Sequence, residues 1–151
     1  MSIWFQQYTL EDLREVREDT LANHIGIRIT EIGPDYVRGT MPVDERTHQP
    51  LGVLHGGASV VLAETLGSLA ANMVVDPAKN SCVGAEVNAN HLRPARHGPV
   101  TGTARPAHIG RSLQVWQIEI VDAEGKLICI SRLTMAVLDR PHLQFGRRPA
   151  G

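Results

Sequence analysis

Residues 57–75 read Gly57-Ala-Ser-Val-Val-Leu-Ala-Glu-Thr-Leu-Gly-Ser-Leu-Ala-Ala-Asn-Met-Val-Val, a run that is apolar or small nearly all the way round. A helix with no polar face has to be enclosed by protein, and its glycines and alanines let neighbouring backbone come close. Its length approaches that of a membrane span, but Glu64 and Asn72 interrupt it and no aromatic residues flank it. The expectation is a buried core helix and no membrane. Glu64 is its only ionisable residue, and Ser68 and Asn72 follow at i+4 and i+8 on nearly the same face. Two readings of this seam stay open. The carboxylate can be exposed or paired with an arginine for structure, since buried acids are rare unless satisfied, or it can line a pocket.

Outward from the helix, the chain alternates as strands do. Asp76-Pro77 closes the helix, and extended segments follow at 82–92, 99–108, 113–121 and 126–138. Asp122-Ala123-Glu124-Gly125 supplies hairpin chemistry before the last of these, where Leu127, Cys129, Leu133, Met135 and Val137 share one face. Upstream, segments 26–30 and 36–41 flank the turn signal Gly33-Pro34-Asp35, and 43–54 has no sustained period and forms a loop. Thr9, followed by Glu11 and Asp12, starts a short amphipathic helix over 9–23 with Leu10, Leu13 and Val16 on one face. Strands without intervening helices pair antiparallel, so the pattern predicts an α+β fold in which a curved antiparallel sheet wraps around one long central helix. Residues 1–138 form its single domain, and the tail from 139 to 151 frays.

Composition narrows the function. A length of 151 residues and 42% hydrophobic content suit one core. Fifteen Lys and Arg against sixteen Asp and Glu give a formal charge of −1, so no global field draws in nucleic acid or an anionic membrane. An anionic ligand needs a local cluster. Cys82 and Cys129 stand in apolar runs without metal-type spacing, which suits buried reduced thiols and a cytoplasmic protein. The start Met-Ser-Ile-Trp-Phe-Gln-Gln-Tyr does not resemble a secretion signal.

His55-Gly56-Gly57-Ala58 brings glycines to the point where a loop enters the helix and the first amides have no internal partner. Their partial positive charge can polarise a thioester carbonyl and stabilise an oxyanion. With Gln49 six residues before His55 and Glu64 nine after it, the pattern becomes Q-P-x-G-x-x-H-G-G-A-x-x-x-x-x-E. Gly56 and Glu64 are eight residues apart, roughly 12 Å along a helix axis. One chain cannot easily bring both to one carbonyl, whereas a two-fold related antiparallel helix can.

Over about 18–138, this pattern, with Met41-Pro-Val-Asp, Glu86-Val-Asn-Ala-Asn-His-Leu-Arg and Val115-Trp-Gln-Ile-Glu-Ile, resembles the hotdog-fold acyl-CoA thioesterases. The nearest branch is that of the 1,4-dihydroxy-2-naphthoyl-CoA, enterobactin-proofreading and Arthrobacter-type 4-hydroxybenzoyl-CoA enzymes. The resemblance implies that Glu64 is nucleophile or general base and that the Gly56 amide polarises the carbonyl. Gln49 and His55 would orient thioester or water, and Ser68 would support the acyl end or the water. For His55 a simple helix-capping role stays open. Coenzyme A would lie along His91, Arg93 and Pro94 and along His108, Ile109, Gly110, Arg111 and Ser112, with the two guanidiniums suited to phosphate. An ordinary solvated rim is the alternative there, and the preferred reading for Arg96 and His97. Gly84 would let pantetheine approach, or mark a strand bulge.

The expected activity is hydrolysis of an aromatic or broad-range acyl-CoA by a homodimer pairing into a tetramer, with the site at the dimer interface. No metal or cofactor is called for, since coenzyme A is part of the substrate. Rival functions are hydrolysis of an aroyl group on a carrier protein, a hotdog dehydratase or hydratase, and a non-catalytic acyl-CoA-binding module.

Overall fold

The computed structural model describes residues 1–14 and 19–140. Its elements are α1 (Leu10–Arg14), α2 (Leu21–His24), β1 (Arg28–Ile32), β2 (Val37–Pro42), α3 (Gly56–Val74), β3 (Ser81–His91), β4 (Pro99–Ile109), β5 (Leu113–Val121) and β6 (Leu127–Leu138). The strands form one antiparallel sheet in the order β1-β2-β4-β5-β6-β3. The long helix α3 lies against β2 through β6, which is the hotdog architecture.

The helix ends where local chemistry stops it. His55 is extended and caps the first turn with its side chain, so α3 begins at Gly56, one residue before the sequence reading placed it. At the other end Val75 is extended, so α3 stops at Val74, ahead of Pro77, which could not continue it. The N-terminal segment closes that end: the Phe5 N–H donates to Met73 O at 2.9 Å, Trp4 Nε1 donates to Gly33 O at 2.7 Å, and the Trp4 ring stacks on Trp116 at 6.4 Å.

Leu62 and Leu66 point from α3 into the sheet and are fully buried, as are Trp116, Ile118, Ile120, Leu133 and Met135 opposite them. Each such aliphatic side chain contributes about 1.5–3 kcal/mol by leaving water. Close approach of helix and sheet depends on missing side chains: a Cβ at Gly67 would stand 2.6 Å from Leu133 Cδ2, and one at Gly102 would stand 2.8 Å from Leu66 Cδ1. Although α3 is long and apolar enough to cross a membrane by composition, ten of its residues are buried in the fold; it is the core helix.

Two elements depart by more than one residue from the sequence reading. The helix expected over 9–23 is not continuous, because Thr20 is extended and its hydroxyl starts a new turn at Leu21 by accepting from the Asn23 N–H at 3.3 Å. Residues 15–18 lie outside the described residues. The first turn does begin at Thr9, whose hydroxyl accepts from the Asp12 N–H at 3.3 Å and whose own N–H donates to Asp12 Oδ2 at 2.7 Å. Strand β1 starts two residues later than expected, since Gly26 takes φ +81° and turns the chain first. Of the tail expected to fray, residues 141–151 lie outside the described residues.

Candidate active site

The loop before α3 is held by its own backbone. The Gln49 N–H donates to Val53 O at 2.8 Å and the His55 N–H to Thr47 O at 2.8 Å, while the Leu54 N–H ties the loop to Ala95 O at 2.8 Å. The chain therefore reaches the helix in a fixed direction, with the Gly52 turn at φ +73°. Gln49 Oε1 accepts from the Leu51 N–H at 2.5 Å, which fixes the carboxamide on its own loop.

At the helix entry the amides divide their work. His55 Nδ1 accepts from the Gly57 N–H at 2.8 Å. The Ala58 and Ser59 N–H groups donate to His55 O at 3.0 and 3.3 Å. Among the described residues, the Gly56 N–H is the amide of this turn left without an acceptor. It sits at the positive end of a 19-residue helix. The capping role is thus what the His55 side chain performs here. With Nδ1 occupied as acceptor, a neutral His55 carries its proton on Nε2.

A groove of about 320 Å³ opens beside this amide, lined by Gln49, Leu54, Gly56, Ser59, His91, Leu92, Arg93, Pro94, Ala95 and Ile128. His91 closes on Gly56 so tightly that a Cβ there would stand 2.7 Å from His91 Nε2. Arg93 anchors one guanidinium nitrogen, Nη1, on Leu127 O at 2.8 Å. Ser59 was missed by the sequence reading. It is 2% exposed, and the signal that could have found it is its i+3 spacing from Gly56, which puts both on one helix face.

Glu64 and Ser68 are not in that groove. Glu64 is exposed, Ser68 half-buried, and Glu64 Oε1 lies over Gly84 of β3, 2.9 Å from where a Cβ would be. A bulge interrupts β3 between Gly84 and Glu86, which is the bulge reading of this glycine; the group that comes close to it here is the Glu64 carboxylate. The arginine-paired alternative for Glu64 finds no counterpart among the ion pairs of the described residues.

The two stretches assigned to coenzyme A also separate. His91 pairs with Cys129 of β6, whereas Leu113 pairs with Ala136. The two partners are seven residue steps apart on β6 (136 − 129), about 24 Å of strand. His91, Arg93 and Pro94 are therefore at one end of the sheet, and His108, Ile109, Gly110, Arg111 and Ser112 at the other. The second turn is tight: the Gly110 N–H donates to Leu113 O at 2.9 Å, and a Cβ at Gly110 would meet His108 Nε2 at 2.6 Å. Among the described residues no group of three His, Cys, Asp or Glu side chains is placed to hold a metal. Cys82 and Cys129 are buried and unpaired with each other; burial pushes the Cys82 thiol up to about 11 and raises that of Cys129.

On this hotdog fold, a helix N-terminal amide left without an acceptor beside a groove suits a protein that binds and polarises a carbonyl. The thioesterase superfamily pattern matches residues 51–129. The 1,4-dihydroxy-2-naphthoyl-CoA hydrolase of Escherichia coli is 51% identical over 136 residues, covering 90% of this chain and 99% of that protein. The proofreading thioesterase EntH of Cronobacter turicensis is 47% identical, covering 90% and 98%. Among solved structures, a mutant of thioesterase PA1618 from Pseudomonas aeruginosa superposes with a TM-score of 0.90 at 49% identity, covering 92% of this chain and all of that one. The thioesterase HI1161 of Haemophilus influenzae superposes at 0.87 and 50%, covering 91% and 95%. The chain belongs to the thioesterase superfamily and is a thioester hydrolase.

Proposed function

We propose that the protein hydrolyses an acyl-coenzyme A with an aromatic or broad-range acyl group, and that each active site combines Glu64 of one subunit with the Gly56 amide of another. The observation that carries this reading is the placement of both groups along β3. Glu64 lies over Gly84 near the start of that strand, and Gly56 lies against His91 at its end. Strand β3 is an outer strand of the sheet, so its far edge is open to a second copy. Antiparallel pairing of two such edges about a two-fold axis carries each carboxylate toward the other subunit's oxyanion amide. It also carries each His108–Ser112 turn toward the other subunit's His91–Pro94, which lets one coenzyme A touch both. Pairing of two such dimers into a tetramer extends the same reading.

In this site the Gly56 N–H holds the thioester oxygen. Glu64 either attacks the carbonyl carbon, forming an anhydride as the thiolate leaves, or removes a proton from the attacking water. Gln49 lines the same groove and its carboxamide nitrogen would serve as a further donor. The relatives named above act on naphthoyl-CoA or in proofreading, which supports an aromatic acyl group and leaves a carrier-bound aroyl thioester as the second substrate to assay. Two buried thiols suit a reducing cytoplasm.

The test is complementation. Glu64→Gln and Gly56→Pro are each inactive on this reading; proline is tolerated at the first helical position but brings no N–H, and Gly56→Ala, which keeps the N–H, controls for the Cβ that would stand 2.7 Å from His91 Nε2. Mixed in equal amounts and allowed to exchange subunits, the two inactive variants regain about a quarter of wild-type thiol release if sites are shared across a two-fold axis. No recovery in a mixture that demonstrably exchanges would refute the shared site.

A further inference from the structure

The polar seam of α3 has a third member that the hydrolytic chemistry leaves unused. Asn72 lies eight residues beyond Glu64 and is 6% exposed. Its Nδ2 donates to Ser68 O at 2.9 Å and to Cys82 O at 3.1 Å, and its Oδ1 accepts from the Cys82 N–H at 2.8 Å. Both peptide groups of Cys82 therefore end on one side chain.

The direction of those groups follows from the ladder. Cys82 stands opposite Val137 of β6, yet the Val137 N–H donates the other way, to Ser112 O at 3.0 Å. In an antiparallel pair of that kind, each residue turns its peptide groups away from its opposite number. The Cys82 N–H and C=O thus face the open edge of β3. A carboxamide offers the same donor and acceptor as a peptide unit, so Asn72 occupies the position of a neighbouring strand and closes the edge there. Behind it, Gln114 Nε2 donates to Ala71 O at 3.4 Å and Trp116 Nε1 donates to Gln114 Oε1 at 2.9 Å, which stiffens the same junction from β5. Two residues past Cys82, Gly84 lies under the Glu64 carboxylate.

Resting on the shared-site reading above, we propose that Asn72 is a positioning residue. Its carboxamide clamps α3 to the edge of β3 at Cys82, holds Gly84 under Glu64, and sets the point beyond which that edge is free to pair with a second copy. An open edge has weakly specified register, and a slip along it would separate Glu64 from the partner's amide without unfolding either subunit. The clamp removes that freedom.

The experiment uses the full-length protein with Asn72→Leu, Asn72→Asp and Glu64→Gln, assayed for thiol release from benzoyl-CoA and hexanoyl-CoA well below the melting temperature. Light scattering gives the oligomer and circular dichroism the folded fraction. Asn72→Leu is expected to lower kcat by roughly ten- to a hundredfold, the scale of an ångström-sized misplacement, with KM unchanged. In Asn72→Asp a carboxylate oxygen faces the Ser68 and Cys82 carbonyls, and protonation restores one donor; kcat relative to wild type should therefore rise as pH falls. Wild-type kcat per folded Asn72→Leu site, or an Asn72→Asp ratio flat with pH, overturns the inference. Should Glu64→Gln keep the wild-type rate, the hydrolytic reading falls first and the inference with it; an inactive Glu64→Gln beside a fully active Asn72→Leu overturns the inference alone.

Discussion

Gly84→Ala should separate stability from catalysis in opposite directions. The glycine lies in β3 outside the left-handed region, so an alanine fits the backbone. The added methyl would meet one neighbour, Glu64 Oε1, at 2.9 Å. Ordinary contact begins near 3.4 Å, so the carboxylate must retreat by at least 0.5 Å (3.4 − 2.9). Because the obstacle is the end of a flexible side chain, the fold accommodates this without strain. The unfolded chain loses freedom, and stability should hold or rise by about 0.4–1 kcal/mol. Catalysis responds the other way. If an ångström of misplacement costs about a hundredfold, half that distance costs on the order of tenfold in kcat, or about 1.4 kcal/mol of barrier. The assay is thiol release beside urea unfolding of the same preparations. Adding Glu64→Gln should abolish the effect of the methyl, since it acts only through that carboxylate. Wild-type kcat in Gly84→Ala, or a loss of stability, would refute the reasoning.

Other substitutions probe the remaining contacts. Glu64→Gln should lower kcat by about 10²–10⁴, the range for removing a general acid–base group, with the oligomer intact by light scattering. His55→Ala removes the acceptor of the Gly57 N–H and should cost about 1 kcal/mol in chemical unfolding; His55→Asn should return most of that stability, and any activity it fails to return belongs to the imidazole. Gly102→Ala sets a methyl 2.8 Å from Leu66 Cδ1 and 3.3 Å from Leu62, an overpacked core expected to lose about 1–3 kcal/mol and to show a lower Tm. The native thiols should resist a disulfide reagent at neutral pH, while the unfolded protein reacts at both. For Cys82 the stability tied to its neutral form is complete below pH 9.0 and declines as pH climbs toward about 11, which alkaline unfolding curves would register.

Much of the fold was legible because its signals are local. The helix shows itself by lacking a polar face, and the sheet by alternation; β5 begins and ends where its pattern does. His55 was legible only as two alternatives, since a histidine before a glycine-rich helix entry has the same sequence whether it caps or reacts. The break at Thr20 was hidden because Leu10, Leu13 and Val16 set up one apolar face that leads straight into Asp19-Thr20, and nothing in that spacing marks the second cap there. Asn72 was legible as a member of the polar seam, and Ser59 was within reach by its spacing from Gly56, but their partners were not: the groove wall and the Cys82 peptide come from strands distant in the chain, and no periodicity names them.

The arrangement of the site is where sequence spacing and three-dimensional register supply different halves of one argument. Eight residues of helix put Gly56 and Glu64 roughly 12 Å apart, a separation visible in the sequence. The seven residue steps of β6 that put the two stretches proposed for coenzyme A about 24 Å apart are visible only from the pairing of β3 and β5 with that strand. On the shared-site proposal, neither separation suits a thioester bound to one subunit, and both are remedied by the same operation, a two-fold rotation about the outer edge of β3, which exchanges the ends of the helix and the ends of the sheet together. A monomeric variant, made by placing lysine on that strand at the exposed Asn88, should therefore lose hydrolysis and coenzyme A binding in the same step. Retention of either in a proven monomer would mean that one of the two assignments is wrong.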